Sequence, residues 1–302
     1  MPNRKGIILA GGWGTRLYPT TQACNKHLFP VYDKPMIYYP LSTLMMAGIV
    51  EILLIVSSFS LESYTRLLGD GNQWGIHLSY AVQPQPKGIA QAFIIAEKFI
   101  HHHSVCLILG DNILVGDALP QFLTSESEKQ GGATVFAYPV NNPSEYGVIH
   151  FDQHYRILGI EEKPTIPKSH YAVIGLYFYD DQVVDFAKSL RPSPRGELEI
   201  TDLNRQYLLR NQLHAHILSR GTAWLDAGTP RSLLEASHFI ATLEERQGLK
   251  ICAPEEIAWR KNYINDDQLF ELASKMGTCH YSHYLRSLLG TENCRVKQIR
   301  IA

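Results

Sequence analysis

The chain predicts an α/β protein of three layers: a Rossmann-like, mostly parallel sheet with helices on both faces. Strand segments are expected at residues 5–10, 51–56, 78–82 and 105–109, and within them 6–10, 52–56 and 105–109 are unbroken apolar runs, as strands covered on both faces require. Segments with helical apolar spacing separate them, which is the rhythm of right-handed βαβ units. From about Gly131 strand candidates follow one another with few helices between, which predicts antiparallel additions to the sheet. Beyond Thr229 the spacing is helical.

Residues 5–10 are the first strand. Residues 35–48 read as a helix buried over much of its surface, opened by a proline and closed by Gly48. Pro40 near its first turns leaves its start open. Residues 51–56 are the second strand, 61–68 a helix ended by Gly69-Asp70-Gly71, and 78–82 the third strand. Residues 88–100 have helical spacing, and 105–109 form the fourth strand, ending in Gly110-Asp111-Asn112. Strands are expected at 133–140, 146–151, 156–161 and 171–179, then helices at 181–190 and 200–210 on either side of a loop at 192–196. A strand at 213–218 and a short buried piece at 223–226 follow. Thr229-Pro230 is an N-cap with proline at the first helical position, and the helix runs to about Arg246 with Leu233, Ser237, Ile240 and Glu244 on one face. Helices at 254–262, 266–276 and 281–289 complete the C-terminal part. Residues 290–302 receive no assignment.

Composition narrows the functional classes. The 302 residues, 45% hydrophobic and 19% charged, suffice for one large domain or two modest ones. A net charge of −1 and a pI of about 6.9 give no basic excess for nucleic acid, and no basic amphipathic run points to a membrane surface. No signal peptide is expected, and no apolar stretch is long enough to span a bilayer. Five cysteines without C-x-x-C spacing suit reduced thiols in a cytoplasm. His101-His102-His103 reads as a solvated connection. Cys279, His280 and His283 lack a fourth ligand for a metal.

The stretch with most chemistry is LAGGWGTRLYP at 9–19. Glycines let backbone N–H groups approach an anion, and an arginine just past them can fork onto phosphate. A phosphate cradle and a plain glycine turn both fit those residues. The loop is neither a P-loop nor a dinucleotide fingerprint, since Leu17 stands where the third glycine would be. Lys26 supplies a second cation nearby. Asp111 follows an apolar strand, at the sheet edge where open α/β proteins bind ligands. It reads either as a turn cap or as one ligand of a divalent cation bridging to phosphate. Asp226 has the same character. Lys163 is a candidate for a second phosphate and Glu162 for sugar hydroxyls, against a surface ion pair at a turn. Gln83 is a candidate for a base edge, with Gly88 letting a flat base approach. Tyr177, Glu199 and Thr201 offer polar groups, and Trp224 is either core or pocket wall.

The ordered set of Gly12 to Pro19, Lys26 to Pro30, Asp33-Lys34-Pro35-Met36-Ile37, Gly110-Asp111-Asn112, Glu162-Lys163-Pro164 and Trp224 to Thr229 resembles the sugar-1-phosphate nucleotidylyltransferases, over residues 5–289. The resemblance implies a single domain over 1–302. Its nucleotide half is 1–130, its sugar-phosphate half 131–228 and its helical part 229–289. It also implies a reaction: dTTP and α-D-glucose 1-phosphate give dTDP-glucose and pyrophosphate with Mg²⁺. The alternatives are use of UTP or another sugar phosphate, or a non-catalytic nucleotide-sugar sensor. By resemblance Leu9, Gly11, Gly12, Gly14, Thr15, Arg16, Gln83, Pro86, Gly88 and Asp111 bind nucleotide. Arg16, Lys26, Asp111 and Lys163 carry catalysis, and Asp111 and Asp226 hold the metal. Gly147, Glu162, Lys163, Val173, Tyr177, Glu199, Thr201 and Trp224 form the sugar-phosphate site. The family pattern is a homotetramer, with a regulatory nucleotide site at an interface matched by Gly116, Glu256, Ile257 and Arg260. Trp13, Asn25, His27 and Lys87 depart from the family's usual residues.

Overall fold

The computed structural model describes residues 4–290. The chain opens with β1 (Arg4–Ala10), the β2 (Pro30–Val31) and β3 (Lys34–Pro35) ribbon, α1 (Tyr38–Met46), β4 (Glu51–Val56), α2 (Leu61–Leu68) and β5 (His77–Val82). Next come α3 (Gln91–Ile95), α4 (Glu97–Ile100), β6 (Ser104–Leu109), β7 (Asn112–Val115) and α5 (Leu119–Glu128). The second half has β8 (Ala133–Pro139), β9 (Gly147–Phe151), β10 (Ile157–Glu162), β11 (Tyr171–Tyr179), α6 (Val183–Ser189), α7 (Ile200–Leu209), β12 (Leu213–Ile217) and β13 (Ala223–Asp226). It ends in α8 (Pro230–Gln247), α9 (Pro254–Arg260), α10 (Asp266–Lys275) and α11 (His280–Ser287).

A nine-stranded sheet runs β10-β9-β11-β6-β1-β4-β5, with β8 also on β11 and β12 on β8. The pairs β1–β4, β1–β6, β4–β5 and β8–β12 are parallel. β11 is antiparallel to β6, β8 and β9, so it joins the two halves in the manner expected of the second half. Successive residues of the central strands supply opposite faces. Ile8, Leu54 and Ile108 pack against α1, α2, α5 and the C-terminal helices, while Ile7, Ile55 and Leu107 pack against α3, α4, α6 and α7. Each such side chain contributes about 1.5–3 kcal/mol by leaving water. That explains the unbroken apolar runs.

Several elements differ from the sequence expectation. The helix expected at 35–48 begins at Tyr38, because Lys34 and Pro35 pair with β2 instead. The helical spacing of 88–100 resolves into α3 and α4, interrupted at Ala96. β7 and α5 were not foreseen. β7 pairs antiparallel with β13, so the short piece at 223–226 is half of a two-stranded sheet. Thr229 caps α8 by a full capping box. Glu244 on its inward face accepts from Lys34 Nζ at 2.8 Å, Lys250 Nζ at 2.6 Å and Ile251 N at 2.8 Å, tying α8 to the β2–β3 ribbon. The unassigned tail lies outside the described residues from 291 on. No helix among the described residues is long and apolar enough to cross a membrane.

Register places the site. Ala10 is opposite Val56, Val56 opposite Val82, and Leu9 opposite Leu109. Parallel strands in that alignment end together, so the loops beginning at Gly11, Gln83 and Gly110 leave the same edge side by side.

Candidate active site

A cavity of about 780 Å³ opens at that edge. Of the nucleotide set, Leu9, Gly12, Arg16, Gln83, Pro86, Gly88 and Asp111 line it. Every member of the sugar-phosphate set lines it as well: Gly147, Glu162, Lys163, Val173, Tyr177, Glu199, Thr201 and Trp224. Asp226 is also on the wall. Residues as far apart in sequence as Leu9 and Asp226 thus converge on one space, because β1, β5, β6, β9, β10 and β13 end or begin there and the middle of β11 crosses it.

Gly11, Gly14, Thr15 and Lys26 do not line the cavity. Gly11 supports it from beneath: a Cβ there would lie 2.1 Å from Gln83 Oε1. Gly14, at φ +63°, caps the 3₁₀ turn Thr15–Leu17, which carries Arg16 into the cavity. Lys26 reaches the site through Asp111, to which its ammonium is bonded. Asn25 positions it. Asn25 Oδ1 accepts the His27 N–H at 3.1 Å and the Tyr64 hydroxyl at 3.0 Å, and Asn25 Nδ2 donates to Ala10 O at 3.2 Å. Trp13, 56% exposed, points to solvent rather than lining the cavity.

The glycine at 88 also has a packing cause. Its φ is +96°, and a Cβ would meet Leu198 O at 2.3 Å. The room is taken by the 197–199 segment, whose Leu198 N–H donates to Lys87 O at 2.7 Å.

Charge is arranged in opposed pairs. Burial alone would raise the Asp111 carboxyl. The Lys26 ammonium, His27 and hydrogen bonds from Lys26 and Asn112 outweigh it and hold Asp111 well below the usual carboxylate range. Burial and then Asp111 itself push Asp226 up to about 6, against the pull of Lys26 and Arg16. The Arg16 guanidinium and the Asp226 carboxylate meet over Gly228, whose N–H donates to Asp226 Oδ1 at 3.1 Å. Lys163 stands in left-handed backbone at φ +41°, with its N–H on Tyr146 O at 3.0 Å. Among the described residues no carboxylate pairs with its ammonium.

A buried, ionised carboxylate and a half-buried one whose proton affinity it raises form a donor set suited to a hard divalent cation, which relieves the repulsion. Among the described residues no third histidine, cysteine or carboxylate joins them. Remaining ligands would come from phosphate oxygens and water, the habit of an ion bound with a nucleotide.

Two contributors escaped the sequence reading of single residues. Asn112 Oδ1 accepts Trp224 Nε1 at 2.7 Å and Gly175 N at 3.0 Å, while its Nδ2 donates to Asp111 Oδ1 at 3.1 Å. It joins Asp111 to Trp224, which lines the cavity and is pocket wall. Arg195 forks onto Glu199 at 2.8 and 2.9 Å and reaches Glu162 at 3.4 Å. The available signal was Arg195 followed by glutamates at 197 and 199 in a proline-bounded loop. Gly116, Glu256, Ile257 and Arg260 lie outside the cavity; Glu256 accepts from Arg260 Nε at 2.7 Å and from the Tyr284 hydroxyl at 2.6 Å.

The family model described as nucleotidyl transferase matches residues 5–242. A protein of Neisseria meningitidis serogroup A named glucose-1-phosphate thymidylyltransferase is 56% identical over 285 residues, 94% of this chain and 99% of that one. A solved Bacillus anthracis structure with sucrose, described as a candidate glucose-1-phosphate thymidylyltransferase, superposes at TM-score 0.73 and 42% identity over 78% of this chain and 94% of the other. A UDP-glucose pyrophosphorylase with UDP-glucose gives TM-score 0.70 at 27% identity over 80% and 99%. With a nucleotidyl transferase core and near full-length identity above one half, the chain belongs to the nucleotidyl transferase family and, within it, to the glucose-1-phosphate thymidylyltransferases.

Proposed function

We propose that the chain transfers a thymidylyl group from dTTP to α-D-glucose 1-phosphate, giving dTDP-glucose and pyrophosphate. The observation that carries this is one cavity lined by Arg16, Asp111, Lys163 and Asp226, with Lys26 bonded to Asp111 from outside the lining. Two polyanions must meet there, and cations offset their repulsion. A phosphate oxygen of the sugar phosphate attacks the α-phosphorus. The bond from that phosphorus to the oxygen bridging the β-phosphate breaks, and pyrophosphate leaves. No protein nucleophile is needed.

Arg16 at the end of the glycine loop suits the triphosphate. Lys163 and Arg195, at the far wall, suit the sugar phosphate. Glu162 accepts from Thr201 Oγ1, and Glu199 is held by Ser193 and Arg195, which fixes both carboxylates for sugar hydroxyls. Gln83 and the backbone at Gly88 suit the base. Holding both substrates in line contributes on the order of 7–11 kcal/mol of barrier lowering, and the cations act by electrostatic stabilisation. Mg²⁺, held by Asp111 and Asp226, supplies further charge neutralisation on the phosphates when bound.

The reading extends to a homotetramer in a reducing cytoplasm, with a second nucleotide site at Gly116, Glu256, Ile257 and Arg260. Its support is that these four lie apart from the cavity and that Cys24, Cys106, Cys252 and Cys279 are free thiols. The test of the activity is pyrophosphate release with dTTP and UTP against a panel of sugar 1-phosphates, with and without Mg²⁺. Fastest turnover with dTTP and glucose 1-phosphate is expected. No release with any pair sinks the proposal.

A further inference from the structure

We propose that Gln91, which does not line the cavity, is a positioning residue that sets which bases the site accepts. It locks the Gln83 amide in one of its two orientations. The inference rests on the proposed use of dTTP and on Gln83 facing the base.

The orientation follows from a backbone group. The Lys87 N–H is obligatorily a donor, and it lies 2.9 Å from one side-chain atom of Gln91. That atom must therefore be the Gln91 carbonyl oxygen, Oε1. The same oxygen lies 2.8 Å from a side-chain atom of Gln83, which must then be the amide nitrogen, Nε2. The Lys87 segment is itself fixed, since Lys87 O accepts the Leu198 N–H at 2.7 Å. Gln83 is 4% exposed and lies over Gly11, so its place as well as its orientation is set. Among the described residues no donor reaches Gln83 Oε1.

Gln83 therefore presents one order of groups along its edge: an acceptor, Oε1, and the second hydrogen of Nε2 as donor. A base meeting both must offer a donor and an acceptor in the complementary order. Thymine and uracil do so with N3–H and the C4 carbonyl. Cytosine offers the reverse, an acceptor at N3 and a donor at the C4 amine. A free glutamine would accept cytosine by flipping its amide. Here a flip would set the Gln83 oxygen against the Gln91 oxygen, leaving two acceptors face to face. The lock separates imide bases from cytosine. It does not separate thymine from uracil, which share that edge.

The experiment measures binding of dTTP and dCTP to the full chain by calorimetry, and kcat/KM for each with glucose 1-phosphate. Wild type should favour dTTP in both. Gln91→Met, which removes the shared acceptor, should lower the dTTP/dCTP ratio by about tenfold or more. Gln91→Glu keeps an acceptor for both donors. Its added charge weakens both nucleotides together, and the ratio should stay near wild type. Lys87→Pro removes the N–H that orients Gln91 and should also relax the ratio, which covers the case in which Gln91→Met fails to fold. A merely structural Gln91 would lower both nucleotides equally and leave the ratio unchanged in every variant; that result overturns the proposal, as does a wild type that binds dCTP as tightly as dTTP. A wild type that prefers dTTP in calorimetry yet releases no pyrophosphate overturns the proposed reaction and leaves the Gln91 lock supported.

Discussion

Asp226 faces Asp111 closely enough that burial and this neighbour lift its carboxyl to about 6, while the Lys26 ammonium keeps Asp111 ionised. The two carboxyls thus differ: Asp111 keeps its charge beside Lys26, while Asp226 takes up a proton more readily. The pair lies at the ends of β6 and β13, two strands of different sheets that are brought together by β7 and by the Ala227 N–H donating to Asp111 O at 3.1 Å.

Asp111→Asn keeps the shape of that side chain and removes its charge. The Lys26 ammonium loses its counter-ion, and a divalent ion bound as proposed would lose an ionised ligand. Turnover should fall by about 10²-fold or more, and the thermal transition should drop without loss of cooperative folding, because the Lys26 ammonium is left buried without its partner. Pyrophosphate release near the wild-type rate would show that Asp111 holds no metal needed in the reaction.

Much of this was legible because the chemistry follows strand ends. Leu9 and Asp111 end or follow continuous apolar runs, the strongest pattern in the chain, and Gln83 follows the edge strand β5, which the alternation of strand and helix marks. What was hidden has no local signal. β7 is four residues long and follows β6 after only Gly110 and Asp111, so it reads as the tail of that strand. α5, LPQFLTSESE, carries a proline and a polar second half. The partners of Asn25 and His27 include Tyr64 on α2, a contact that nothing in the Asn-Lys-His triplet announces.

Lys163 combines a cation without a carboxylate partner among the described residues and a left-handed backbone. Left-handed conformation costs a non-glycine residue about 1–2 kcal/mol. Lys163→Ala should mainly raise KM for glucose 1-phosphate and lower kcat, leaving KM for dTTP near wild type. Lys163→Gly loses the same ammonium but fits the backbone, so it should be the more stable variant by up to about 1 kcal/mol. Equal melting temperatures would remove the strain, and an unchanged KM for glucose 1-phosphate would remove the phosphate contact.

Two glycines of the site separate binding from folding. Nothing lies within 4 Å of a Cβ built on Gly12, whereas one on Gly88 meets Leu198 backbone at 2.3 Å in a residue with φ +96°. Gly12→Ala should therefore melt with the wild type and yet raise KM for the nucleotide, because its methyl group enters the space where phosphate would lie. Gly88→Ala should lose roughly 2 kcal/mol or more of stability. Thermal denaturation together with dTTP titration distinguishes them, and a normal nucleotide KM for Gly12→Ala would place the phosphates elsewhere.

His27 gives the fold a pH dependence of known sign. Its ring is buried against Gly110, with Nδ1 2.7 Å from Asn25 Oδ1, and burial followed by Lys26 lowers its pKa to about 3. The unfolded imidazole takes a proton near 6.5 and the folded one does not, so below that pH the unfolded state binds more protons. Stability from this group is complete above about 6.5 and is lost as pH falls toward 3, at about 1.4 kcal/mol per pH unit. Asp226 titrates in part of this window with the opposite sign, since its raised carboxyl adds stability as pH falls. It is common to wild type and variant. Urea unfolding of wild type and His27→Gln at pH 7.5 and 5.0 isolates the imidazole. The wild type should lose about 2 kcal/mol more than the variant between the two conditions. Parallel losses would mean that the imidazole is protonated in the folded protein, and Asn25 would then have to accept from a charged ring beside the Lys26 ammonium.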